Sequence, residues 1–524
     1  MKKLKSLKFL INFSKNCKKN KNKIVLCHGG FDFLHLGHLK HFKAAKKYGD
    51  YLVVSITSAN LLRKGLNRPI YSDNERVEFL SSIDIIDYIY IDNNLSASNI
   101  ISEIKPNFYA KGSDYKDLKK DFSKKILQEV KLTKKYGGKV IFTNEKVFSS
   151  SSLINNNLLS KELINKIHLI KKKFSYNKIF QTLSQMRNKK VLIIGDTIID
   201  EYIYVSQLGK PSKENIIASQ YLKKETFLGG VFASVANLSS FCNKIDVLTT
   251  VSKDEEINDF IKANIPKNIN KKIFYLKNSP ITKKTRFIDN SHTNLKKLYE
   301  IYKMDDSPID NKLEGKIFTF LNKNIKKYDL IIINDYGHGL ITEKLVKLIS
   351  NKSKFLTINA QINAGNRGYN LITKYKKGNY YCLDLNEGRM ATGDKYIEVK
   401  DIPKEVLKLT KGKNISLTMG GNGSISSSGK NLIYTPSFTN TVVDTMSAGD
   451  AYFVISSMMF YLSKSLEVSS LLGNLAGAIT AGTKGCVPIN KDKFLETLNS
   501  YLKTWIINYV WNSIYQLFKK NKFN

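Results

Sequence analysis

The chain has 524 residues, too many for one ordinary core, and its 42% apolar and 11% aromatic content describe two or three globular domains and exclude a disordered polymer. The formal net charge of +39 invites a nucleic-acid reading, but only seven of the 84 basic residues are arginine, and the lysines are scattered along the whole chain. A surface built to read bases or phosphates would carry arginine forks with interleaved aromatics, so the charge is read as a compositional bias that still attracts anionic substrates.

The five cysteines (Cys17, Cys27, Cys242, Cys382, Cys486) form no C-x-x-C pair, and no run of 18 apolar residues occurs. Both observations argue against a disulfide framework, a cysteine-held metal and a transmembrane segment, and for a reducing cytoplasm. Residues 1–23 are basic and lack the apolar stretch of a signal peptide, so they are taken as an N-terminal extension.

From Ile24 onward strands and helices alternate, the pattern of a parallel sheet with crossover helices. Ile24-Val25-Leu26-Cys27 reads as a buried strand, followed by His28-Gly29-Gly30-Phe31-Asp32 and by His35-Leu36-Gly37-His38 at the opening of an amphipathic helix. Two glycines after a strand let the backbone approach a phosphate, and a helix N-terminus favours negative charge. Paired imidazoles at that point suit charge developing on a transferring phosphoryl oxygen. Further strands are Tyr51–Ile56, Tyr88–Ile91, the segment before Lys111-Gly112, and Lys139–Phe142, with a basic loop at 63–70 and a serine run at 149–152.

Together, these landmarks resemble the H-x-G-H nucleotidylyltransferase superfamily, above all its small cytidylyltransferases and the adenylyltransferase half of the bifunctional heptose-phosphate enzymes. The resemblance runs in unbroken order through Lys64, Gly65, Arg68 and Pro69, Arg76, Lys111, Gly112, Asp114 and Tyr115, and Ser150, Ser151 and Ser152. It implies transfer of a nucleotide to a sugar 1-phosphate with release of pyrophosphate, and Mg²⁺ and ATP (or CTP) as cofactor and co-substrate. His35 and His38 would be catalytic. Gly29, Gly30, Lys46, Arg68, Lys111 and Ser150–Ser152 would bind nucleotide and phosphate, and Asp32 the acceptor or an imidazole.

Residues 156–188, with Leu163, Ile167, Ile170 and Phe174 at helical spacing, read as a helical linker between a nucleotidylyltransferase domain (24–155) and a second domain (189–498). The second domain opens on the strand Lys190–Ile194 and continues with strands at Ile245–Val251, Leu330–Tyr336, Phe355–Asn359 and Ile415–Thr418. The alternating, β-rich stretch Ile216–Phe227 reads as an edge ribbon or lid strand. Asp444-Thr445-Met446-Ser447-Ala448-Gly449-Asp450 precedes a long apolar helix, so small residues form an anion-binding helix start with a carboxylate inside it.

This motif, with Gly195–Asp200, Gly229-Gly230, Asn334–Gly339 and Thr418–Gly423, resembles the ribokinase-like carbohydrate kinases over about 300 residues. The fold class expected is therefore α/β, two Rossmann-like parallel-sheet domains, a nucleotidylyltransferase fold and then a ribokinase-like fold. The resemblance implies Asp450 as catalytic base and an anion hole at Ser447, Ala448 and Gly449, with Gly421 and Gly423 near the nucleotide. Asp200, Gly229, Gly230 and Asn237 would line the sugar pocket, Lys284 and Arg286 would take a phosphate already on the sugar, and Glu387 would order Mg²⁺ through water.

Three departures from the family pattern stand out. Ser447 replaces a glycine, Ala233 stands where an asparagine is usual, and Asp384 takes the place of the first residue of N-x-x-E. The domain order is also reversed relative to the heptose enzymes that have this pair of domains. The expected function is a bifunctional enzyme of nucleotide-sugar synthesis acting on a heptose-7-phosphate-like sugar. The alternatives are a cytidylyltransferase fused to a kinase for another sugar or polyol, a kinase half with impaired activity, and a basic nucleic-acid-binding protein on an enzyme scaffold. The expected partners are sugar phosphates and nucleoside triphosphates, with no specific nucleic acid and an open oligomeric state. Residues 499–524, holding both tryptophans, read as an aromatic-rich helix.

Overall fold

The computed structural model describes residues 2–62, 69–112, 125–143, 160–277, 279–289, 296–438 and 442–503. The chain divides into two compact units, the first built on residues up to 158 and the second on 159–495.

In the first unit, strands β1 (Ile24–Gly29), β2 (Tyr51–Thr57), β3 (Tyr88–Asp92), β4 (Phe108–Gly112) and β5 (Lys139–Thr143) form one sheet in the order β3-β2-β1-β4-β5. Every pairing is parallel. The strands are apolar on both faces because helices cover both, leaving Val25, Leu26, Cys27, Leu52, Val53 and Val54 buried. The chain reverses direction across the sheet between β1 and β4, and the carboxyl ends of those two strands open the crevice where such sheets hold ligands.

The N-terminal extension packs within this unit. Helix Leu7–Lys19 buries Leu10 and Cys17, its Ser14 hydroxyl donates to the carbonyl of Ile104, and Phe13 meets Tyr88 and Tyr51 edge to face at 4.7 and 4.9 Å.

The second unit takes in most of the stretch 156–188, from residue 159 on. Helices Lys161–Lys173 and Tyr176–Gln185 belong to it, with Leu163, Ile167 and Ile170 buried and Lys173 paired to Glu467 at 2.9 Å. Its strands are β6 (Lys190–Gly195), β7 (Thr197–Gly209), β8 (Ala218–Gly230), β9 (Lys244–Val251), β10 (Asn270–Tyr275), β11 (Thr282–Asp289), β12 (Lys296–Lys303), β13 (Leu330–Asp335), β14 (Leu356–Ala360), β15 (Tyr380–Asp384), β16 (Ile415–Thr418), β17 (Ser424–Ser427) and β18 (Leu432–Thr435). Nine of them form a sheet in the order β10-β9-β6-β13-β14-β15-β16-β17-β18, parallel up to β16 and antiparallel beyond.

The other four make a separate sheet, β12-β11-β7-β8. The lid strand expected at Ile216–Phe227 is part of β8, which runs antiparallel to β7. Helices Ala448–Ser463 and Leu466–Ala481 are buried almost all round, which explains why their apolar runs carry no polar stripe. The aromatic-rich helix expected at 499–524 lies outside the described residues beyond 503.

Candidate active sites

In the first unit, β1 ends in the turn that carries the histidines. Phe31 adopts φ +41°, a left-handed conformation, and its ring packs on Phe42 at 5.1 Å and edge-on to His38 at 5.4 Å. His35 then caps helix Leu36–Lys46, its Nδ1 accepting the Gly37 amide at 3.1 Å. That bond places the ring proton on Nε2, which is buried with no partner among the described residues. The His35 and His38 rings stack with centroids 4.0 Å apart. Burial lowers the pKa of His35, so at neutral pH it is a neutral imidazole with one N–H donor to give.

Several neighbours hold this turn. The buried Arg76 guanidinium donates to the Gly30 carbonyl at 2.6 Å and the Thr57 carbonyl at 2.9 Å, and also to Asp73. Arg76 thus braces the glycine turn from behind. The carboxylate of Asp32 accepts the amides of Ile70 and Tyr71 at 2.7 and 3.0 Å, fixing the far end of the basic loop. The Lys111 ammonium donates to the His28 carbonyl at 3.2 Å, tying the ends of the paired strands β4 and β1, and lies 3.5 Å from Glu129 of helix Lys125–Lys135.

Lys46 corrects an expectation. It closes the helix that His35 opens, so it stands at the opposite, amino-terminal edge of the sheet. There its ammonium bonds Asp87 and the Asp50 carbonyl, both at 2.6 Å, and both acceptors precede strands. A helix of 11 residues is about 16 Å long at about 1.5 Å per residue, too far for the two ends to serve one phosphate.

A residue missed from sequence is His41, one turn beyond His38. Its Nδ1 lies 2.8 Å from the Thr143 hydroxyl at the carboxyl end of β5, and burial pushes its pKa down to about 4, with Lys111 adding to the effect. Its spacing of three from His38 was the available signal. Lys64, Gly65, Arg68, Asp114, Tyr115, Ser150, Ser151 and Ser152 lie outside the described residues.

In the second unit, a cleft of about 230 Å³ gathers Asp200 from β7, Gly230 from β8, Lys284 and Arg286 from β11, Tyr336 after β13, and Ser447, Gly449 and Asp450 at the start of helix Ala448–Ser463. Gly229 lies beside this wall, and a Cβ on it would sit 1.9 Å from Asp200 Oδ2. Asp200 accepts from Arg286 at 2.5 Å, and Arg286 also reaches Glu300 at 3.1 Å. Lys284 is buried, 5% exposed, with its ammonium over the Tyr302 ring at 5.0 Å and its pKa lowered by that burial. The two cations differ: Arg286 forms ion pairs with Asp200 and Glu300, whereas among the described residues Lys284 forms none within 4 Å and feels Asp200, Glu300 and Asp196 from farther off.

Asp450 accepts the Tyr336 hydroxyl at 2.5 Å. Burial pushes its pKa up to about 6, against the Tyr336 hydrogen bond that holds it down. Ser447 sits at φ +63°, in the left-handed region, and its hydroxyl accepts from Asn237 at 3.1 Å.

That contact corrects the role expected of Asn237. It lies behind the loop, 1% exposed, bonding Ser447 and the Ile489 amide, and does not line the cleft. Gly421 and Gly423 follow β16, whose Thr418 lines the cleft, and Gly423 needs φ +83° where a Cβ would meet the Thr435 carbonyl at 2.2 Å.

Glu387 lines the cleft beside Asp384 and Asn359. Its two oxygens accept the amides of Ile362 and Asp384 at 3.1 and 2.8 Å, and burial, with Asp384 adding, raises its pKa to about 8. No three His, Cys, Asp or Glu side chains among the described residues could together hold a bare metal ion. This oxygen-rich wall fits a hydrated Mg²⁺ that takes its direct ligands from phosphates and water. The cleft also contains Cys382 and Cys486, which sequence reasoning did not place there; Cys486 Sγ is 4.0 Å from Asp200.

Residues 26–157 match the cytidylyltransferase-like family, and residues 188–493 match the pfkB family of carbohydrate kinases. The bifunctional protein HldE of Aliarcobacter butzleri is 30% identical over 340 residues, covering 61% of this chain and 68% of that protein. The bifunctional protein HldE of Campylobacter concisus is 41% identical over 116 residues, 22% of this chain and 24% of that one. A ribokinase structure from Thermotoga maritima covers 59% of this chain and 99% of its own at 14% identity and a TM-score of 0.47. No described helix is long and apolar enough to cross a membrane. With a nucleotidyltransferase-like domain leading into a carbohydrate kinase domain, the chain is an enzyme of the pfkB family and belongs with the bifunctional HldE proteins.

Proposed function

We propose that the chain phosphorylates a heptose 7-phosphate or a close analogue with ATP. On this reading it also joins a sugar 1-phosphate to the nucleotide of ATP, releasing pyrophosphate, and acts in the cytoplasm. The observation that carries the reading is the kinase cleft, where a carboxylate at a helix start (Asp450) and a buried ammonium (Lys284) face one small polar space. A sugar already bearing a phosphate supplies both partners: a hydroxyl for the carboxylate and an anion for the ammonium.

In the kinase step, Asp450 takes the hydroxyl proton as that oxygen bonds to the γ-phosphorus and the bond to ADP breaks. Ser447 and Gly449, which line the cleft, offer their amides to the charge that develops, whereas the Ala448 amide, expected in the anion hole, is taken by the Thr445 carbonyl at 3.2 Å. Asp200, set by Arg286 and admitted by Gly229, holds the sugar hydroxyls. Mg²⁺, held through its waters by Glu387 and Asp384, would neutralise phosphate charge.

In the nucleotidyl step, a sugar 1-phosphate oxygen attacks the α-phosphorus in line and the bond to pyrophosphate breaks. The Nε2–H of His35, already short of a partner, donates to an α-phosphoryl oxygen, with His38 stacked beside it and Lys111 at the end of the adjoining β4. Because each unit carries its own chemistry, point changes separate them. His38→Ala is expected to lower pyrophosphate release at least 100-fold with ADP formation intact, and Asp450→Asn to do the reverse. A panel of sugar 1-phosphates with ATP against CTP identifies the nucleotide. Full turnover by both variants in both assays would dismiss the reading.

A further inference from the structure

We propose that Tyr336 is a positioning residue for phosphoryl transfer: its phenol occupies Oδ1 of Asp450, so that Oδ2 is the oxygen that receives the substrate proton. The inference rests on Asp450 acting as the base. Tyr336 is 3% exposed, lines the cleft and donates to Asp450 at 2.5 Å.

Its main chain is tied on every side. The Tyr336 amide donates to Asp196 at 3.0 Å, its carbonyl accepts from Asn363 and Asn366 at 2.8 and 3.1 Å, and the next amide, Gly337, donates to Asp335 at 3.0 Å. Gly337 takes φ +72°, and a Cβ there would lie 2.9 Å from Asn366 and Asn370. The phenol is therefore fixed from a rigid loop 114 residues away in sequence from the carboxylate it holds.

A donor on one oxygen does two things. It selects the lone pair that faces the attacking hydroxyl, and it stabilises the ionised form against burial. Other groups acting on Asp450 are Asp200 from β7, Lys284 from β11, Cys382 from β15, Glu387 and Cys486. Among these Tyr336 alone hydrogen-bonds to it in the described residues. During transfer the hydroxyl O–H bond breaks, its proton goes to Oδ2, the oxygen bonds to the γ-phosphorus, and ADP leaves. Tyr336 keeps its own proton throughout.

The test is the pH profile of ADP formation from a heptose 7-phosphate and MgATP by the full chain. In Tyr336→Phe the acid limb of kcat/KM is expected to rise by about one pH unit. Activity would then fall about five- to sixfold at pH 6 and return to within about threefold of the parent at pH 8, with the KM for ATP unchanged. Replacing Tyr336 by 3-fluorotyrosine keeps the ring and strengthens the donor, so the limb should move down. The same shifts are expected without turnover in the ¹³C carboxyl signal of Asp450, assigned by its loss in Asp450→Asn. Profiles and signals that superimpose on the parent in all variants, or a rate lowered equally at every pH, would overturn the proposal. An active Asp450→Asn chain would instead overturn the identity of the base.

Discussion

Ser447 shows how one residue departs from a family pattern and is accommodated. A non-glycine residue held in the left-handed region costs roughly 1–2 kcal/mol, and a buried hydrogen bond returns about 1 kcal/mol. Ser447 has both, with φ +63° and a hydroxyl that accepts the Asn237 amide. Ser447→Ala is expected to keep the strain and strand a buried donor, lowering the stability of the kinase unit by about 1–3 kcal/mol. Ser447→Gly trades the lost bond for relief of strain and should cost less than the alanine. Chemical denaturation followed in the two variants decides the order, and an alanine variant as stable as the parent would remove the compensation. The serine itself was legible as a substitution in the motif. Its partner was not, because Asn237 is 210 residues away and its own context suggested a sugar ligand.

Elements explain where the structure places the site residues expected from sequence. Alternating apolar strands and amphipathic helices identify parallel sheets, and loops at the carboxyl ends of such strands hold ligands. His35, after β1, and Lys111, at the end of β4, follow that rule; Asp200 lies inside β7 and Asp450 opens a helix after the antiparallel β18. Lys46 breaks the rule, since a helix pattern reports a face and not which end of the sheet a residue reaches. The four-stranded sheet was legible only at β8, because β11 lies far along the chain from β7, the strand it joins.

Register supplies the next expected result. Gly229 opposes Ile198 two residues before Asp200, and a methyl there would collide with the Asp200 carboxylate. Gly229→Ala should raise the KM for the sugar at least tenfold while leaving pyrophosphate release unchanged. In the first unit, Arg76 joins helix Asp73–Ser81 to the ends of β1 and β2 through the Gly30 and Thr57 carbonyls. Arg76→Met leaves both buried acceptors without that donor and should lower the stability of this unit by about 2–3 kcal/mol. Pyrophosphate release should then be lost at a lower temperature than in the parent.

At the scale of the molecule, the charge of +39 admits two readings that salt separates. A surface rich in lysine and poor in arginine attracts anions by field, not by shaped contacts, and exposed charges are screened beyond about 8 Å at physiological ionic strength. Both substrates of each reaction are anionic, so the field should hasten their capture without entering the chemical step. The expected result is a kcat/KM that falls about three- to tenfold between low salt and 0.5 M for both activities, with kcat at saturation unchanged. A nucleic-acid-binding protein on an enzyme scaffold predicts something else: affinity for polynucleotide that survives in physiological salt and discriminates among sequences. Binding of a mixed duplex measured against salt distinguishes them. Weak, sequence-blind binding released by moderate salt, together with turnover that depends on His38 and Asp450, assigns the charge to substrate capture. Tight and selective binding retained in the His38→Ala and Asp450→Asn chains would assign it to a nucleic acid, because neither an imidazole pair nor a buried carboxylate at a helix start is needed merely to hold a polyanion.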